Sequence, residues 1–188
     1  MISGFQKKNT IFIILTIISI VFLDQVTKLI VKIYLQPVHS IKIIGDFLRL
    51  TYVENPGMAF GIQLSNKLLF NILSIIAVII IFFYLLKLRD HNLLRFSFAI
   101  ILGGAFGNLI DRFMFGSVVD FIDVDFFNIN FHGGKFLFWE LPPYSLDRWP
   151  VFNVADSAVS IGMILIIFTA IFEHKTHPVA NDAASEDI

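Results

Sequence analysis

The sequence predicts an all-α membrane protein of four transmembrane helices, with a small extended or β platform and an aromatic loop on its outer face. Of its 188 residues, 56% are hydrophobic and only 15% are charged. The mean hydropathy of +0.78 is far above that of a soluble domain of this length. Four apolar stretches, at about 11–35, 68–86, 93–115 and 151–172, each approach the roughly 20 residues that a bilayer-spanning helix needs. Four spans put both termini on one side. The whole chain, 1–188, reads as a single integral membrane domain ending in a polar tail, 173–188.

The first stretch follows Lys7 and Lys8, as a leader peptide would. However, it is longer than a leader's apolar region, no small-residue cleavage site follows, and it continues into Asp24, Lys28 and Lys32; a retained helix is expected. Asp24 and Lys28 are four residues apart and share a helix face. They could pair towards the bundle and brace a site at that level. Alternatively, Lys28 and Lys32 could snorkel to the interface with Asp24 neutralising them.

Residues 41–53 are rich in β-branched and aromatic side chains and predict a surface platform. It ends in the Pro- and Gly-punctuated turn of residues 54–61, Glu-Asn-Pro-Gly-Met-Ala-Phe-Gly. Lys87, Arg89 and Arg95 crowd the short connection after the second span. With Lys7 and Lys8 they mark the cytoplasmic side, and so both termini. The basic residues of the outer side, Lys42, Arg49, Lys67, Lys135 and Arg148, are spread over longer loops.

In the third span, Gly103 and Gly107 form a small-xxx-small pair suited to close helix approach. Asn108 and Arg112 lie on one face near the outer end. The Arg112 fork could hold a carboxylate, a lipid phosphate or backbone carbonyls, or could simply snorkel. The loop 121–150 carries Phe126, Phe127, Phe131, Phe136, Phe138, Trp139, Tyr144 and Trp149, a composition suited to the headgroup layer. Asp123 and Asp125 read as solvated positions within it. The fourth stretch opens with Asn153-Val154-Ala155-Asp156, in which Asn153 could cap the helix and orient the acid. The tail is polar and acidic and is expected to be disordered.

Asp156 is the only ionisable residue in its span, at a cost of roughly 3 kcal/mol on insertion scales. Asp120 follows directly on the third span and can return to the same membrane surface. Two acids within reach of one another would share a proton. The ionised member could take a proton from water attacking a carbonyl while the protonated member donates to the carbonyl oxygen; sequence assigns neither acid to either role.

Other chemistries lack residues. There is no cysteine, so no disulfide or thiolate. The five histidines have no zinc-binding spacing, and no metal or organic cofactor is expected. Ser157 and Ser160 lack a G-x-S-x-G elbow. A net charge of −1 without basic stripes points away from nucleic acid. Two non-hydrolytic readings compete: a proton-coupled transporter relaying through Asp24, Asp120 and Asp156, which the lack of internal repeats disfavours, and a non-catalytic lipid-binding or assembly protein.

Five boxes, in order, resemble those of signal peptidase II, the bacterial membrane aspartyl peptidase family. They are Asp24-Gln25-Val26-Thr27-Lys28, Asn55-Pro56-Gly57-Met58-Ala59-Phe60, the run Gly103 to Arg112 (GGAFGNLIDR), Val118-Val119-Asp120-Phe121 and Phe152-Asn153-Val154-Ala155-Asp156-Ser157. The resemblance implies that Asp120 and Asp156 are the catalytic pair, and that Asp24, Lys28, Asn55, Gly57, Asn108, Arg112 and Asn153 support the site or bind substrate. It further implies an enzyme of the bacterial cytoplasmic (inner) membrane with its active site near the outer leaflet. Its substrates would be lipidated prolipoproteins, cut just before the diacylglyceryl-modified cysteine, its surroundings membrane lipids, and its expected inhibitors globomycin-type cyclic peptides. The stretch between the two acids is longer than is typical of the family, with an added aromatic portion around 130–149.

Overall fold

A computed structural model describes residues 4–56, 58–59, 62–63, 67–88, 91–126, 129–136, 139–141 and 143–173. Gly57, Phe60, Phe127, Phe138, Arg89 and the tail beyond 173 lie outside the described residues. The chain runs α1 (Gly4–Tyr34), β1 (Ser40–Ile44), β2 (Leu48–Asn55), β3 (Met58–Ala59), β4 (Ile62–Gln63), α2 (Lys67–Lys87), α3 (Asn92–Phe115), β5 (Val118–Val124), β6 (Ile129–Phe131), β7 (Gly134–Phe136), β8 (Trp139–Leu141), β9 (Tyr144–Leu146) and α4 (Val154–Glu173).

Among the described residues, three helical stretches are long and apolar enough to cross a membrane: Asn9–Tyr34, Asn92–Phe115 and Val154–Phe172. The continuous apolar part of α2 that is described, Asn71–Lys87, is shorter. Of the four predicted spans, three therefore meet the length requirement outright. α3 packs against each of the other helices, most extensively against α4. Leu102 and Ala99 of α3 sit in a core with Ile13 of α1 and Val78 and Leu85 of α2. The outward faces remain apolar, with Phe12, Phe22, Ile80, Phe83, Ile164 and Phe168 all exposed. Such faces suit lipid, which does not penalise an exposed hydrocarbon side chain.

Two glycines set the helix spacing. A Cβ on Gly107 would meet Asp24 Oδ2 of α1 at 2.5 Å, and one on Gly104 would collide with the Ala155 carbonyl oxygen of α4. Gly103, whose added Cβ would meet Ile20 Cβ at 2.9 Å, faces α1 together with Gly107, and Gly104 faces α4.

α3 ends at Gly116, whose φ of 75° is left-handed and whose N–H donates to the Arg112 carbonyl at 3.1 Å; glycine takes this cap at no steric cost. The reversal sends the next segment into the platform. The predicted platform forms, but as a three-stranded antiparallel sheet, β1-β2-β5, that recruits the strand bearing Asp120. Val53 pairs with Asp120 and Asn55 with Val118. One face buries Val119 and Phe121 against Val31 and Leu35 at the end of α1.

The aromatic loop is not irregular throughout: β6 pairs with β9 and β7 with β8, forming a two-tiered hairpin. Beyond it, Phe152 bridges to Ile122. α4 consequently starts at Val154 rather than at the predicted 151, because residues just before it spend their backbone groups on β5.

Candidate active site

Asp120 leaves the middle of β5 and Asp156 the first turn of α4, and one residue holds both. Asn153 donates from Nδ2 to Asp120 Oδ1 at 2.6 Å and from its backbone N–H to Asp156 Oδ2 at 3.2 Å. Its Oδ1 accepts the Asp156 N–H at 2.9 Å. This is a reciprocal capping box, in which the acid and the cap satisfy each other's end of the helix. Asp156 is thus a helix-capping group as well as a candidate acid.

Asn55 donates to the second oxygen of Asp120 at 3.0 Å. Asn108 donates to Asp156 Oδ1 at 2.8 Å and accepts from Asn153 Nδ2 at 3.0 Å and from Lys28 Nζ at 2.9 Å. Three elements of distant sequence (β2, α3 and the start of α4) thereby orient the two carboxylates. Burial, and then the charge of Asp156, push the Asp120 carboxyl up to about 7.

Beneath the pair lies a charged layer. Lys28, 4% exposed, directs its ammonium to Asp24 Oδ2 and Asp111 Oδ2, each at 2.8 Å, as well as to Asn108. Every proton of the ammonium has an acceptor, the condition under which a buried charge is tolerated. The inward pairing of Asp24 and Lys28 is therefore the arrangement found, and Lys28 does not snorkel. Lys32 differs: it sits 4.4 Å from the centre of the Phe115 ring, a cation–π contact with the last residue of α3. Asp24 also accepts the Ala155 N–H at 2.9 Å, so α1 contributes a second cap to α4. The Arg112 guanidinium lies in the electrostatic field of Asp156, Asp120 and Asp111.

Two residues of this layer were not singled out from sequence. Asp111 accepts from Gln25 Nε2 at 2.9 Å and from the Val119 N–H at 3.3 Å, and so anchors the residue preceding Asp120. Gln25 also donates to the Gly107 carbonyl at 3.1 Å. Asp111 stands three residues after Asn108 and four after Gly107 on one helical face, a spacing that could have revealed it.

The structure brings together Asp24, Lys28, Asn55, Asn108, Arg112, Asp120, Asn153 and Asp156. Gly57 lies outside the described residues. The reading of Asp123 as solvated is corrected: it is 5% exposed, accepting from Arg148 Nε at 2.6 Å and Thr51 Oγ1 at 2.7 Å. Asp125 is half-buried and also bound by Arg148, at 3.1 Å. Among the described residues, no group of three or more His, Cys, Asp or Glu could hold a metal ion.

Chemically, the arrangement offers a buried carboxyl that holds a proton near neutrality beside a carboxylate at the positive end of a helix. That combination suits acid/base work on one water molecule.

A family model described as signal peptidase (SPase) II matches residues 15–172. The chain is similar to the lipoprotein signal peptidase of Chlorobaculum tepidum, at 44% identity over 84% of this chain and 94% of that protein. It is also similar to the lipoprotein signal peptidase of Caldanaerobacter subterraneus, at 39% identity over 85% and 96% of the respective chains. Among solved structures, a bacterial membrane enzyme determined by the in meso method at 2.3 Å resolution superposes with a TM-score of 0.71 and 31% identity, covering 90% of this chain and 93% of that one. A second, at 1.9 Å resolution, gives 0.66 and 33% over 86% and 94%.

Proposed function

Since the chain belongs to the signal peptidase II family, we propose that it is an aspartyl endopeptidase that removes signal peptides from prolipoproteins. Cleavage falls just before a diacylglyceryl-modified cysteine. The observation that carries this reading is the hold of Asn153 on both Asp120 and Asp156.

Asp156, in the first turn of α4 with N–H donors on both oxygens, starts the cycle as the carboxylate and Asp120 as the acid. Water placed between them attacks the scissile carbonyl carbon. Its proton passes to Asp156 while Asp120 protonates the carbonyl oxygen, giving a neutral tetrahedral diol. Collapse breaks the C–N bond: Asp156 delivers its proton to the leaving amine, and a diol hydroxyl returns one to Asp120. Asn55, Asn108 and Asn153 hold the acids in place, and the Lys28 layer fixes the helices that carry them. Arg112 lies where it can bind a substrate carbonyl or lipid ester. Gly57, two positions after Asn55 in sequence, is assigned to substrate binding with it.

The protein is a bacterial membrane protein. We place it in the cytoplasmic membrane as one unit with four spans, α2 included, both termini cytoplasmic and the acids near the outer leaflet. Membrane lipids surround it, and globomycin-type cyclic peptides are its expected inhibitors.

The test is cleavage of a diacylglyceryl-modified prolipoprotein peptide, with the unlipidated peptide as control. Wild type cuts before the lipidated cysteine, while Asp120→Asn and Asp156→Asn lose roughly 10²–10⁴-fold or more in kcat. Equal turnover in all three would remove the dyad.

A further inference from the structure

We infer that Arg148 is a positioning residue that locks the aromatic hairpin to the sheet, and that the hairpin so locked engages the lipid-modified substrate. The second half of this inference rests on the function proposed above.

One guanidinium reaches two other segments, the end of β5 and the β1–β2 turn. Nε donates to Asp123 Oδ1 at 2.6 Å, and Nη1 donates to Asp125 Oδ2 at 3.1 Å and to the Asp46 carbonyl at 2.9 Å. Nη2 donates to the Asp123 carbonyl at 3.4 Å. Asp123 is in turn held by Thr51 Oγ1 at 2.7 Å, which contacts Ser40 Oγ at 2.9 Å. A line of polar contacts thus crosses β1, β2 and β5 and ends on the return leg of the hairpin.

Backbone and ring contacts reinforce it. The Trp149 N–H donates to the Val124 carbonyl at 3.1 Å and the Asp125 N–H to the Phe47 carbonyl at 2.8 Å. Phe126 sits edge-on to Phe47 at 6.0 Å and to Trp149 at 6.3 Å. Both legs of the hairpin are therefore tied to the β1–β2 turn. The planar fork spreads its donors over three nitrogens and so reaches acceptors set well apart, whereas a lysine ammonium donates from a single nitrogen.

The hairpin springs from the outer end of the strand whose middle carries Asp120, so its pose relative to Asp120 is set at this base. The two acids themselves are held by a different set of residues: Asn153, Asn108, Asn55, and the Lys28 layer. Among the described residues, the hydrogen bonds and ion pairs of Arg148 go to Asp46, Asp123 and Asp125, outside that set. Loss of Arg148 therefore acts on substrate engagement and leaves the chemical step intact.

The test uses full-length protein in detergent: wild type, Arg148→Gln, Arg148→Lys, Asp123→Asn and the milder Asp125→Asn. kcat and KM are measured on the diacylglyceryl-modified peptide, and trypsin cleavage after Lys135, the one Lys or Arg between positions 126 and 147, reports on the hairpin directly. The expected result is a KM raised roughly tenfold in Arg148→Gln and Asp123→Asn, with kcat within about twofold. Trypsin cleavage should be faster in the same variants, with Arg148→Lys and Asp125→Asn intermediate. A fall in kcat with KM unchanged, or unchanged kinetics in all four, overturns the inference. Unchanged trypsin rates overturn the lock. A folded wild type that fails to cut the peptide overturns the proposed function instead, and the trypsin rates still decide whether Arg148 locks the hairpin.

Discussion

At the scale of single residues, the proposed chemistry depends on Asp120 keeping a proton that an exposed aspartate would have lost. Its carboxyl is raised from an ordinary 3.8 to about 7, first by burial and then by the charge of Asp156. The folded protein thus binds a proton that the unfolded chain releases across that interval, and stability falls as pH rises from about 4 to about 7. Above the interval the loss is complete and the curve flattens. Asp120→Asn removes this titration, so its thermal unfolding temperature in detergent should overtake that of wild type progressively across the window. Parallel curves for the two proteins from pH 4 to 8 would refute the assignment. Activity should decline above about pH 7, as Asp120 gives up the proton that the carbonyl oxygen needs. The candidate acids were legible from the cost of placing a carboxylate at membrane depth. Asp123 was not, because its partner Arg148 lies 25 positions away and a carboxylate in a loop reads as solvated until that partner is known.

At the scale of elements, α3 is the post around which the site is built, and its glycines decide how near α1 and α4 can come. In Gly104→Ala the new methyl would strike the Ala155 carbonyl oxygen, one residue before Asp156. Overpacking of this kind costs about 1–3 kcal/mol and displaces the first turn of α4. The expected outcome is a lower unfolding temperature together with a drop in peptide cleavage. Gly134→Ala, whose methyl would meet nothing within 4 Å, serves as the comparator and should match wild type in stability. Helix existence was readable from apolar length, and the Asn153 cap from residue type. The strand β5 was not, since seven residues beginning Val-Val-Asp become a strand only when β2 offers a partner edge. The late start of α4 has the same origin: Phe152 is committed to Ile122 before the helix begins.

At the scale of the whole molecule, the exposed apolar girdle of the helices and the polar layer at one end define how the protein sits in a bilayer. The chain has no cysteine, so single-cysteine variants report topology without background. His91→Cys, between α2 and α3, should react with an impermeant maleimide only after permeabilisation, whereas Asp147→Cys, at the foot of the hairpin, should react in intact spheroplasts. Labelling of both from the same side would rule out α3 as a span and, because β2 and β5 share one sheet, α2 with it. The sequence by itself determined the membrane class, the helices and the residue types of the site, because hydropathy and the penalty on buried charge act locally and leave a mark at each position. Tertiary structure alone decided that β5 joins the platform, that Asn153 serves both acids, that Asp111 anchors the strand bearing Asp120 and that Arg148 closes the base of the hairpin. Apart from the Asn153–Asp156 cap, each of these is a hydrogen bond or ion pair between separate elements, whose worth depends on a direction and a distance that no local pattern encodes.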